Sequence, residues 1–75
     1  MMRALREQSI EEILAVLDGM NERMNHVVKV GGLVHTREAL HYVGSSYDFF
    51  LAELRERGEG AVADRYEERA ATWKQ

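Results

Sequence analysis

The feature that most constrains this chain is an apolar pattern between Thr36 and Arg57. Its apolar residues recur at steps of three and four, which places them along one face of an α-helix: Leu40, Val43, Tyr47, Phe50, Leu51 and Leu54. Tyr42 and Phe49, seven residues apart, continue the apolar surface around one flank. A surface this broad predicts a helix that contacts two neighbouring helices. Tyr42 and Phe49 are then either core residues covered by the first or third helix, or a surface for a contact outside the chain; both interpretations are open at this point.

A second helix is predicted ahead of this one, over residues 9–30. Ser9 and Glu12 match the capping box, in which each side chain bonds the backbone N–H of the other residue. Apolar residues follow with a seven-residue repeat: Ile10, Ile13, Leu14, Leu17, Met20, Met24, Val27 and Val28. This repeat favours antiparallel packing against the next helix. We expect residues 1–8 either to fray or to extend the helix by two turns.

Glycines divide the chain into three helical segments. Gly31 and Gly32 form the strongest break, and we expect one of them to take the left-handed conformation that ends the first helix. Thr36 is a suitable N-cap for a middle helix over 36–57. After the next glycines, a narrower stripe predicts a third helix over 61–74: Val62, Tyr66 and Trp73, with Ala63 and Ala70. The expected fold is one all-α domain (residues 1–75) with two long antiparallel helices and a shorter third.

Size and composition favour self-association. The chain has 75 residues and no cysteine, so disulfides and thiolate metal sites are excluded. A core of this size supplies only roughly 3–5 kcal/mol, and small domains commonly gain the rest by oligomerising. We therefore expect a homodimeric helical bundle.

The charge and hydropathy pattern narrows the class of partner. The formal net charge of −3 repels phosphate, which makes nucleic acid an unlikely partner. No apolar run approaches the roughly 18 residues needed to cross a bilayer, and no signal peptide is recognisable. We expect a small acidic cytoplasmic protein that does not contact membranes.

One cluster has the residue types of a metal site. His35, Glu38 and His41 are spaced three apart, and histidine and carboxylate suit zinc or iron. The Glu38–His41 spacing also matches the ligand pair of di-iron bundles. All three residues fall on the polar side of the predicted helix, whereas di-iron ligands project inward. Solvated surface residues are therefore the favoured interpretation, and we expect no metal or other cofactor.

A helix-turn-helix DNA-binding regulator is an alternative that depends on Gly44. A break there would start a second helix near Ser46, in the position of a recognition helix. That helix offers Asp48 and Glu53 where base and phosphate contacts need positive or amide side chains, and its arginines, Arg55 and Arg57, lie only at the far end. Whether Gly44 interrupts the middle helix is open at this point.

The function that the sequence favours is protein–protein interaction without catalysis. No nucleophile elbow or phosphate-binding glycine loop is present. Interfaces favour aromatic residues and methionine at their centres, so the predicted partner-binding residues are Tyr42, Phe49, Met20 and Met24. The expected role is a small adaptor, regulatory subunit or inhibitor of a larger assembly.

Overall fold

Three α-helices make up the described part of the chain. The computed structural model describes residues 4–31 and 33–74, with the backbone alone for residues 33–36. A 3₁₀ turn at Leu5–Glu7 precedes α1 (Ile10–Val30), α2 (Leu33–Glu56) and α3 (Gly60–Ala70), and no strand occurs in these ranges. The all-α, three-helix prediction is confirmed. None of these helices combines the length and the apolar character needed to cross a bilayer, as far as the described residues extend.

The helix that spans the dominant apolar pattern lies in the middle. α2 packs against α1 on one side and against α3 on the other, and α1 and α3 touch each other less. The broad apolar surface of α2 explains this arrangement, because a helix covered on two sides needs apolar residues over more than one narrow stripe.

The ends of α1 are determined by local chemistry. The Ser9 side chain accepts a hydrogen bond from the Glu12 backbone N–H (3.1 Å), and the Glu12 carboxylate accepts one from the Ser9 N–H (3.0 Å). At the other end Gly31 has φ −82°, so it does not adopt the expected left-handed conformation, and Gly32 lies outside the described residues. A Cβ on Gly31 would approach the Val27 carbonyl oxygen to 2.6 Å. Glycine is needed at position 31 because of crowding, not handedness.

A left-handed glycine lies in the second turn. Gly58 has φ +82°, the only positive φ among the described residues. Its N–H donates to the Arg55 carbonyl (3.1 Å), and the Glu59 N–H donates to the Leu54 carbonyl (2.9 Å). This pair of bonds is the Schellman motif, which satisfies the last carbonyls of a helix and turns the chain back. It ends α2 at Glu56 and directs α3 against α2.

Two helix ends differ from the sequence prediction by three or four residues, and the open question about Gly44 has an answer. α2 begins at Leu33, so Thr36 lies within the first turn and is not the residue before the helix; its side chain is outside the described part. α2 runs through Gly44 without interruption. α3 ends at Ala70, whose carbonyl accepts from the N–H groups of both Trp73 (3.0 Å) and Lys74 (2.8 Å). This irregular last turn carries Trp73 into the core.

The core is formed by residues from all three helices and from this last turn. Its buried apolar members are Ile13, Leu17, Met24, Tyr47, Leu51, Leu54, Ala63, Ala70 and Trp73. The rings of Tyr47 and Trp73 meet edge to face, with centroids 5.3 Å apart and planes at 87°. Such aromatic pairs stabilise a core beyond the area that they bury.

A buried polar side chain joins the helices. Asn21 is fully buried, and its amide N–H donates to the Tyr47 hydroxyl (3.0 Å) while its amide oxygen accepts from the Trp73 indole N–H (2.8 Å). The Tyr47 hydroxyl in turn donates to the Tyr66 carbonyl (2.6 Å). These bonds satisfy polar groups that would otherwise be costly to bury. They connect α1, α2, α3 and the C-terminal turn.

A second polar cluster lies at the edge of the core. The Tyr66 hydroxyl donates to the Asp18 carboxylate (2.9 Å), which also pairs with Arg69. The hydrogen bond from Arg69, followed by the one from Tyr66, lowers the pKa of the Asp18 carboxyl from its usual value. The cluster joins α1 to α3, which have few other contacts.

Arg57 holds the N-terminal segment against α2. Its guanidinium donates to the carbonyls of Gln8 (2.7 Å) and Leu5 (2.9 Å) and pairs with Glu53 (2.7 Å). Leu5 packs against the core. The described part of the segment expected to fray or extend α1 therefore forms a docked 3₁₀ turn, and residues 1–3 lie outside the described ranges.

Candidate protein-interaction surface

Two aromatic side chains of α2 remain in solvent. Tyr42 is 79% exposed and Phe49 is 66% exposed, more than any other large apolar residue that the structure describes. Successive residues of an α-helix are rotated by about 100°, so Tyr42 points about 140° away from the buried Tyr47. Neither α1 nor α3 covers this flank of α2. The flank carries the two aromatic residues that the sequence analysis selected.

An apolar groove between α1 and α2 begins beside Tyr42. Its volume is about 420 Å³, and it is lined by Ala15, Val16, Gly19, Met20, Arg23, Tyr42, Val43 and Ser46. A Cβ placed on Gly19 would meet no atom within 4 Å, so the groove is open at that point. The single charged lining residue, Arg23, is exposed. The groove is thus an apolar depression with one positive group.

Two serines separate the aromatic residues along the flank. The Ser45 hydroxyl donates to the His41 carbonyl (2.9 Å), and the Ser46 hydroxyl donates to the Tyr42 carbonyl (3.4 Å). Both hydroxyl protons are therefore engaged within α2 itself. A partner that covers these serines leaves no hydroxyl donor unsatisfied.

The two methionines selected from the sequence have different environments. Met20 is partly exposed and lines the groove. Met24 is 1% exposed and belongs to the core, because it lies two turns after the buried Leu17 and faces the same way. Met24 is therefore not part of the exposed surface. We define the aromatic flank surface as Tyr42, Phe49, Met20 and the other groove-lining residues.

Two of the three metal candidates are exposed side chains of α2. Glu38 and His41 are both exposed, and the side chain of His35 lies outside the described residues. Within the described part of the chain, no group of three or more histidine and acidic side chains is placed to hold a metal ion.

The arginines of the helix-turn-helix alternative have partners in the chain. Arg55 pairs with Asp64 (3.1 Å) and Glu67 (3.5 Å), and Arg57 pairs with Glu53 and the N-terminal turn. With α2 continuous through Gly44, the turn on which that alternative depends does not form in this structure.

Several groove residues were not selected from the sequence. Val16 lies one turn before Met20, a spacing that places the two side chains on the same face, and this was an available signal. Gly19 and Ser46 carry no such signal, since small residues in a helix line a groove only when a neighbouring helix lies beside them.

No protein-family model matches the chain, and no curated protein or solved structure shows significant similarity to it.

Proposed function

We propose that this protein is a non-enzymatic protein–protein interaction module that binds through the aromatic flank surface. It would act as a small adaptor, regulatory subunit or inhibitor of a larger assembly, in the cytoplasm, and assemble as a homodimeric helical bundle. The observation that carries the proposal is the exposure of Tyr42 and Phe49 on either side of small residues, next to an apolar groove.

The physical reason is the cost of leaving such a surface in water. Aromatic side chains each bury roughly 150–250 Å² when covered, and they dominate interface energetics. A standard interface covers about 800 Å² on each partner, which is about a seventh of this chain's 5459 Å². The flank and the groove together extend over about two turns of α2, and they form the centre of such an interface.

The surface also has the composition of an interface centre. Between Tyr42 and Phe49, Asp48 is the only charged residue of α2. Its carboxylate pairs with Lys74, at the edge of α2 that faces the C-terminal turn. Aromatic residues and methionine with few charges distinguish interface centres from the rest of a protein surface.

The test is site-specific photo-cross-linking in cells. A photoreactive amino acid is placed at position 42, at position 49, and, as a control, at the exposed Arg65 on α3. We expect positions 42 and 49 to capture the same protein, either a second copy or another chain, and position 65 to capture neither. In the same chain, Val16→Glu puts a charge into the groove and should suppress the capture without loss of helix content.

Two results would refute the proposal. One is capture at positions 42 and 49 that does not exceed capture at position 65. The other is capture that persists unchanged with Val16→Glu, which would show that the groove takes no part in binding.

A further inference from the structure

We infer that the aromatic flank surface is covered by a second copy of this chain, antiparallel to the first about a two-fold axis at Ser45 and Ser46. In this arrangement Phe49 of each copy lies in the groove of the other copy, beside its Tyr42. The inference rests on the proposed function and specifies its partner and geometry.

The spacing of the flank is self-complementary. Tyr42 and Phe49 are seven residues apart, about 10.5 Å along the helix axis, with Ser45 and Ser46 at the midpoint. When two copies of α2 run in opposite directions over this midpoint, each Tyr42 lies opposite the Phe49 of the other copy. A two-fold interface has this form, because the same patch on both copies must contact itself.

The midpoint permits close approach of the two helices. Serine is small, and both serine hydroxyls already donate to carbonyls of their own helix. Gly44, next to them, is buried on the side of α2 that faces Lys74, so it takes no part in this contact. Two helices can thus cross at this point without clashing and without leaving a buried donor unpaired.

The groove is suited to the partner's phenyl ring. Its lining is apolar apart from Ser46 and Arg23, and the space over Gly19 is open. Tyr42, on the wall of the groove, offers an aromatic neighbour at the place where the antiparallel arrangement brings Phe49 of the second copy. The side chain that protrudes and the depression that receives it therefore belong to the same surface.

Charge also favours the antiparallel direction. Residues 22–41, which flank the turn between α1 and α2, contain three basic residues, two acidic residues and all three histidines. The chain as a whole carries −3, so the residues outside 22–41 carry a net −4. The far end of α2 and the turn after it (residues 53–59) contain three acidic and two basic residues, a net −1. Antiparallel pairing brings the positive end of each copy over the negative end of the other, whereas parallel pairing would place like ends together.

The absence of native cysteine permits a direct test of this geometry. Ser45→Cys places a thiol at the proposed axis. Ala52→Cys places one on the same flank, also exposed, but about 20 Å from its counterpart in an antiparallel pair. Oxidation at tens of micromolar should cross-link Ser45→Cys at least about tenfold faster than Ala52→Cys, because a paired thiol has an effective concentration near millimolar.

A second variant tests the groove without weakening the fold. Gly19→Leu fills the open space over α1 and replaces a helical glycine by a good helix former. Helix content should be retained, the dimer mass measured by light scattering should fall to that of the monomer, and the cross-link of Ser45→Cys should be lost when Gly19→Leu is present in the same chain.

The outcomes separate this inference from the proposed function. Equal cross-linking of the two cysteine variants, or a Gly19→Leu protein that remains dimeric, overturns the antiparallel pairing. A protein that is monomeric at all concentrations, with position 42 cross-linked to a different chain in cells, overturns self-pairing and the homodimeric bundle, and leaves only the interaction with another chain standing. A monomer with no specific cross-link at position 42 overturns both.

Discussion

Replacing Asn21 with alanine should remove about 2–4 kcal/mol from the free energy of unfolding. The substitution leaves the Trp73 indole N–H without its acceptor in a fully buried site and takes one hydrogen bond from the Tyr47 hydroxyl. An unsatisfied buried donor costs about 1–3 kcal/mol, and the cavity left by the amide adds to this. Since a core of this size supplies roughly 3–5 kcal/mol, the variant should be close to unfolded.

The measurement is urea denaturation followed by the fluorescence of Trp73, the only tryptophan in the chain. The matched control is Asn25→Ala, one helical turn later, because Asn25 is exposed and accepts one hydrogen bond from the Thr72 hydroxyl (2.8 Å). A surface change of this kind should cost about 0.5 kcal/mol or less. Both variants must be compared at one protein concentration, since dimerisation adds to apparent stability.

A difference of less than about 0.5 kcal/mol between the free energies of unfolding of the two asparagine variants, within the range of ordinary surface changes, would refute this prediction. That result would mean that Trp73 and Tyr47 find other partners when the amide is removed. Asn21 would then be a tolerated polar residue and not the junction between α1, α2 and the C-terminal turn.

Three further predictions concern the turns and the buried tyrosines. Gly58→Ala should destabilise the protein by about 1–2 kcal/mol because position 58 has a positive φ. Gly60→Ala has open space around the new Cβ and should change the free energy of unfolding by no more than about 1 kcal/mol. Equal losses of stability in thermal denaturation would contradict this. Arg57→Lys cannot reproduce the forked contacts to the N-terminal 3₁₀ turn, so the amides of that turn should exchange faster with deuterium, and unchanged protection would show that the turn is held by apolar packing alone. Burial raises the pKa of the Tyr47 and Tyr66 phenols above the usual 10.0. The stability that the neutral phenols contribute is therefore present below about pH 10 and is lost as the pH rises through the raised pKa values. Circular dichroism and tyrosinate absorbance should change together, and ionisation of Tyr47 with the helices intact would refute this.

The local signals in the sequence predicted the elements well. The capping box at Ser9 and Glu12 forms as expected, and the apolar repeats predicted three helices in the right order with α2 in the middle. These features depend on residues a few positions apart, so they are readable without knowing what lies across the core. The left-handed conformation of Gly58 and the crowding at Gly31 were not readable in this way, because both depend on the path of the backbone around the glycine.

What the sequence determined by itself, then, is the helical class, the approximate boundaries and the presence of an aromatic flank on α2. Only the tertiary structure decided which residues of each stripe are buried: Met24 and Tyr47 lie in the core, while Met20 and Tyr42 line the groove. Helical periodicity defines a face to within about one residue, or roughly 100°, and the neighbouring helices decide which part of it is covered. Asn21 shows the same limit, because its burial depends on hydrogen-bonding groups that residues 26 and 52 positions later bring to it.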